Sequence, residues 1–153
     1  MDLRDALKVA GASKLSIEPD DVCIVNDESV VFPQTPDDKR KPHPDGRTCV
    51  VLTTSHLSKR VTYPIVSIAP TSTQLHLKEE ADFPLSATEP NGLHKDCLVM
   101  LGHIQPVRKA DLFKKIGRLS DEDWDDLCAH ILWYFDLQDS KLVGNFLTVP
   151  WKS

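Results

Sequence analysis

Three short segments follow one another along this chain: GRTCVVLT (Gly46–Thr53), PIVSIAPTST (Pro64–Thr73) and DCLVMLGHIQPV (Asp96–Val107). Each joins an apolar run rich in Val and Ile to polar residues at or near one end. β-Branched side chains fit a pleated, buried surface, so these runs read as strands of a small barrel. Chemically capable side chains then emerge where the strands end.

The rest of the chain is organised around that β core. Leu3, Ala6, Leu7 and Ala10 recur at helical spacing around Asp2–Val9, and Gly11 stops the pattern, which predicts a short N-terminal helix. VCIVND (Val22–Asp27) is a first strand, and SVVF (Ser29–Phe32) extends it or pairs with it. Pro33–Gly46, dense in proline and charge, is a long loop of the kind that often carries function. Cys49–Thr53 and Ile65–Ala69 are strands, and Gln74–Leu77 and Phe83–Ala87 read as strands or strand edges. Thr88–Leu93 contains the hairpin signal Asn-Gly. Cys97–Val107 reads as one long apolar strand, ended by Pro106 because proline offers no ladder donor.

Ser120 followed by three acids marks a helix start, with the carboxylates placed where the helix dipole favours them. Trp124, Leu127, Cys128, Ile131, Leu132 and Phe135 then form a stripe of period 3.6 that should cover one open side or end of the barrel. In the tail, Leu142, Val143, Phe146, Leu147, Val149 and Trp151 are expected to pack back on the domain or on a second subunit. The fold class is therefore mainly β with helices (α+β), a small barrel with a C-terminal amphipathic helix. The expected organisation is an N-terminal helical extension over 1–18, a barrel domain over 19–137 and a packing tail over 138–153.

Composition narrows the function. No apolar run reaches the length of a membrane span, and the N-terminus lacks the apolar stretch of a secretory signal, so a cytoplasmic protein is expected. Cys23, Cys49, Cys97 and Cys128 are scattered among apolar neighbours. They read as small buried hydrophobes, with no metal site, no cofactor and no disulfide framework. The net charge of −5 runs against a general nucleic-acid binder. Basic residues instead gather in two stretches, Lys39–Arg47 and Arg108–Arg118, which would form one basic groove if the fold brought them together.

The segments PDDVCIVND, GRTCVVLT, VSIAPTST, NGLHKDCLVMLGHIQPV and KKIGRLSDEDWDDLCAHILWYF, in that order, resemble the MazF/PemK family of toxin endoribonucleases over roughly Pro19 to Leu137. The resemblance implies an SH3-like barrel. It also implies the toxin of a type II toxin–antitoxin system, a homodimer held in check by a small antitoxin, that cuts single-stranded RNA without a metal through the 2′-hydroxyl. Carried over residue by residue, Arg47 resembles the family's strand-leading arginine, and Thr71 its strand-end hydroxyl. Ser72 and Thr73 are further hydroxyls for the same role, and Lys39, Arg40 and Lys41 are expected to contact RNA. An always-charged planar fork suits the charge that builds on the attacked phosphate, and a hydroxyl adds a hydrogen bond.

One departure stands out. Where the PemK-like branch carries an acid followed by glutamine, this chain has Gly102-His103, and Met100 stands where some members have arginine. His103 and His43 are the groups expected to take over proton transfer, since imidazole titrates near neutrality. Two alternatives follow: a binding protein on the same barrel without catalysis, or a gyrase inhibitor of the CcdB type.

Overall fold

The computed structural model describes residues 15–138. The helix expected at Asp2–Val9 and the apolar tail from Leu142 lie outside the described residues.

Seven strands pair antiparallel: β1 (Asp21–Val25), β2 (Arg47–Val51), β3 (Ile65–Ser72), β4 (Asp82–Leu85), β5 (Cys97–Met100), β6 (Gln105–Arg108) and β7 (Leu112–Arg118). A single helical turn, α1 (Ser55–Ser58), joins β2 to β3, and α2 (Asp121–Tyr134) follows β7. The strand order is β4-β5-β3-β2-β1-β7, with β6 also on β3. The eight-residue β3 sets this arrangement. One of its edges pairs with β2, while the other is divided between β6 along Ile65–Ile68 and β5 along Thr71–Ser72. One edge shared by two strands forces the sheet to curl, and the result is the small barrel expected from the sequence.

Both faces of the central strands are covered, so β1 and β2 read as unbroken apolar runs rather than alternating ones. Cys23, Val25, Cys49, Val51, Val66 and Ile68 enter one core, which Ile17, Val30 and Leu112 close. Their neighbours Val22, Val50, Ala69, Cys97 and Val99 enter a second core, on which α2 lays Leu127 with Trp124 and Ile131 beside it. The Ser120 hydroxyl accepts from the Asp123 N–H at 3.1 Å, the cap its sequence announced. The helix ends with Asp136 at φ 56°, where the Asp136 and Leu137 N–H groups donate to the carbonyls of Trp133 and Leu132.

The structure departs from the sequence reading in four places. Gln74–Leu77 is no strand: Leu75–Leu77 forms a 3₁₀ turn. Ser29–Phe32 pairs with no strand, because a 3₁₀ turn at Asp27–Ser29 redirects the chain and sends Val30 into the core. The long strand Cys97–Val107 is broken by a turn at Leu101–His103, and Pro106 does not end the pairing but sits opposite Ser67 in β6. β6 pairs with β3 alone, so the missing proline N–H interrupts no second ladder. β7 escaped the sequence reading because LFKKIGR hides its apolar residues among cations.

Leu127 is fully buried between α2 and the sheet, whereas Phe135 at the end of the same stripe is 49% exposed. Leu127→Ala is expected to lower unfolding free energy by about 2–5 kcal/mol and Phe135→Ala by no more than about 0.5 kcal/mol, read from urea midpoints at constant m.

Candidate functional site

Gly46 starts the site. It holds φ +90°, and a Cβ there would lie 2.5 Å from Ile24 Cγ2 and 2.8 Å from the Val25 carbonyl oxygen, so glycine alone lets the chain turn into β2 at this point. Arg47, the next residue, is thereby delivered at the strand start. Its Nε donates to Asp27 Oδ1 and its Nη2 to the Lys41 carbonyl at 3.2 Å. Nη1 carries no hydrogen bond among the described residues. The guanidinium carbon lies 4.6 Å from the centroid of the Phe32 ring. Arg40 approaches the same ring at 5.2 Å and reaches Asp27 Oδ1 at 2.9 Å.

Asp27 therefore gathers the site. Besides the two arginines, its Oδ2 accepts the His43 N–H at 3.2 Å, which pins the proline-rich loop. Burial would raise its pKa, but the hydrogen bonds from Arg47, the His43 N–H and Arg40 outweigh burial and hold it below the ordinary carboxylate value. Sequence reasoning missed both Asp27 and Phe32. Their neighbours in NDESVVF carry no motif, and only folding brings them to Arg47.

Beyond Phe32, a groove of about 690 Å³ opens over β3, β5 and β4 among the described residues. Lys39, Arg40, Lys41, His43, Arg47, Thr71, Ser72 and Thr73 all line it, so eight of the nine sequence-derived site residues converge. His103 does not line it. Its ring lies 5.3 Å from Phe32, its Nε2 meets Gln34 Oε1 at 2.8 Å, and its buried Nδ1 has no partner. Burial lowers the His103 pKa, with the nearby Asp82 charge pulling it back up. His43 is also held low, by burial first and then by the Arg47 charge, so it is a neutral imidazole at pH 7.

The second basic stretch does not join the groove. Lys109 is buried, donating to the carbonyls of Leu57 and Arg60. Arg108 pairs with Asp111, and Lys115 and Arg118 are tied to Asp21. Arg108 instead borders a separate cleft of about 940 Å³, shared with Asp27, Glu28 and Asp111, whose acids disfavour a phosphate backbone.

Register also sorts the two hydroxyls at the end of β3. Thr71 stands opposite Val99, on the side of the second core, and its hydroxyl donates to the Thr48 carbonyl at 3.2 Å. The Cys97 thiol, on that same side, is pushed up to about 11 by burial, against a lowering contribution from its hydrogen bond with Thr71. Ser72 stands opposite Leu98 on the groove side, and continuing the β2–β3 register two residues beyond Cys49↔Pro70 brings Arg47 opposite it. Its Oγ accepts the Gln74 N–H at 3.2 Å, which leaves its own proton to donate.

Residues 29–135 match the model of a family described as the PemK-like, MazF-like toxin of type II toxin–antitoxin systems. The chain belongs to that family. Among solved structures, it is similar to the Mycobacterium tuberculosis toxin MazF-mt6, with 22% identity, a TM-score of 0.55 and coverage of 76% of this chain and 96% of that one. A MazE–MazF structure from Deinococcus radiodurans gives 8% identity and a TM-score of 0.58, over 81% of this chain and 100% of that one. An endoribonuclease from a mycobacterial species gives 7% and 0.57, over 80% and 93%. At these identities the likeness is one of fold. No curated protein matches the chain closely enough to add to this. No helix among the described residues of this toxin-family barrel is long and apolar enough to cross a membrane.

Because Asp27 has a lowered folded pKa, it contributes stability above its unfolded value of about 3.9, and that stability is lost as pH falls through the folded value. Asp27→Asn is expected to cost about 1–3 kcal/mol at pH 7, and the deficit relative to wild type should shrink below about pH 4. Urea titrations at pH 7 and pH 3 measure both values.

Proposed function

We propose that this chain is the toxin of a type II toxin–antitoxin pair and an endoribonuclease that cuts single-stranded RNA through the RNA's own 2′-hydroxyl. Family membership supports the toxin role, and the observation that carries the chemistry is Arg47. Its guanidinium is fixed on two sides by Asp27 and Phe32, with Nη1 unengaged at a groove lined by hydroxyls.

In the reaction, the 2′-oxygen attacks the adjacent phosphorus in line, the P–O2′ bond forms and the P–O5′ bond breaks. The products are a 2′,3′-cyclic phosphate and a 5′-hydroxyl end. Charge builds on the non-bridging oxygens, where Arg47 supplies a preorganised cation and Ser72 a hydrogen bond. Thr71 acts one step back, fixing the end of β3 through the Thr48 carbonyl. His43, neutral at pH 7, accepts the 2′-proton, and protonation of the leaving 5′-oxygen completes the balance. Lys39, Lys41 and Thr73 hold flanking phosphates, and Arg40 chiefly orients Asp27. His103, whose ring packs beside Phe32, supports that ring and Gln34 rather than the scissile bond. A small cognate antitoxin covering the groove and a homodimeric toxin complete the reading. A mycobacterial endoribonuclease of similar fold has been solved in complex with its cognate antitoxin, which supports the pairing with an antitoxin.

Incubation with a long single-stranded RNA in EDTA tests the activity. Discrete fragments ending in cyclic phosphate are expected, with Arg47→Ala slower by about 10²–10³-fold. An intact RNA, with RNA binding retained, would instead make the chain a binding protein on this barrel, and gyrase inhibition without RNA cleavage would make it a CcdB-type inhibitor. With His43 as base, kcat/KM should rise with pH through a value below 6.5, and His43→Gln should abolish that limb.

A further inference from the structure

The groove is polarised along its length. Its β2 end carries Lys39, Lys41 and Arg47, while its β4 end carries Glu79 and Asp82. Asp82 is only 8% exposed, yet it has no ion pair among the described residues. Among the described residues the carboxylate accepts one hydrogen bond, from the Glu79 N–H to Oδ2 at 2.9 Å, so Oδ1 stays available. A carboxylate this buried is ordinarily paired, and leaving it open toward a groove has a structural cost that a ligand would offset.

The neighbours of Asp82 indicate the kind of ligand. Asp82 stands opposite Met100, and Met100 and Leu98 share one face of β5, so the acid sits at the edge of an apolar floor. A phosphate would be repelled here. A flat, donor-bearing ring fits, with its face on Leu98 and Met100 and its edge on the carboxylate. Distance keeps Asp82 out of the chemical step: β4 is three strands from β2, about 14 Å at ordinary strand spacing. That separation suits the base of a nucleotide whose backbone is held at the Arg47 end.

We infer that Asp82 is a specificity residue that reads a guanine of the RNA substrate through its Watson–Crick edge. Guanine alone among the four bases offers two adjacent donors there, N1–H and the 2-amino group, and a carboxylate accepts both. Adenine, cytosine and uracil each bring an acceptor to the same contact. This inference rests on the endoribonuclease reading for its substrate but not for its test.

Binding of short, uncuttable 2′-deoxy oligonucleotides, each carrying one guanine in an otherwise pyrimidine strand, is measured by fluorescence anisotropy. Wild type should prefer guanine over adenine at one position by about tenfold. Inosine, which lacks the 2-amino group, should lose several-fold on the unaltered protein, so the result does not depend on a variant folding. Asp82→Asn should erase the guanine preference while leaving binding of an all-pyrimidine strand unchanged. Equal affinity for guanine, inosine and adenine overturns the inference, whatever RNA cleavage shows. An Asp82→Asn variant that keeps the guanine preference also overturns it. If RNA is not cut but guanine is still preferred, the nuclease reading fails and the base reader stands.

Discussion

One carboxylate organises the functional end of this barrel. Asp27 receives Arg47, Arg40 and the His43 N–H, and so joins the 3₁₀ turn after β1, the proline-rich loop and the start of β2. A guanidinium that must meet developing charge on phosphorus gains from being oriented before substrate arrives. Asp27 orients the Nε side and Phe32 supports the face, which leaves Nη1 without a hydrogen bond among the described residues, the edge that the proposed reaction would use. The same bridge tempers the field: two of the groove's cations are partly neutralised, so the groove is less positive than its sequence suggests.

The fold places that bridge through β3. Because β6 and β5 divide one of its edges, the sheet curls around the first core yet, among the described residues, stays open past Phe32. The open stretch is the groove. The second core, filled from the opposite face and closed by α2, holds the same strands rigid from behind. The two faces of β3 are separated residue by residue: Thr71 faces the second core, while Ser72 faces the groove.

Much of this was legible in the sequence, and the missing parts have physical reasons. Val and Ile runs mark β1, β2 and β3 because both faces are buried. Ser120 and the acids after it mark α2 because capping is local. β7 was not legible, since its exposed Lys114 and Lys115 mask the pattern, and the Leu101–His103 turn was hidden inside an apolar run. At the site, Arg47, His43 and the β3 hydroxyls could be found because their order along the chain resembles a family. Asp27, Phe32 and Asp82 could not, because each acquires its role only from a contact far away in sequence or from its place in the groove. The expectation that His103 replaces the missing acid depended on position along β5. The Leu101–His103 turn sets its ring beside Phe32 and its Nε2 on Gln34, outside the lining of the groove.

The acidic body and the small cationic end of the groove belong to one design. With a net charge of −5, the surface as a whole repels a polyanion. Within the groove the cations are Lys39, Lys41, Arg40 and Arg47, and the two arginines are already shared with Asp27. Few phosphate contacts mean that counterion release contributes little affinity. On the proposed reading, an RNA that stays gains its remaining binding energy from its bases, on the Leu98–Met100 floor and at the acidic edge beyond it. Weak backbone attraction then favours sequence selectivity, because a strand with the wrong base has little else to hold it.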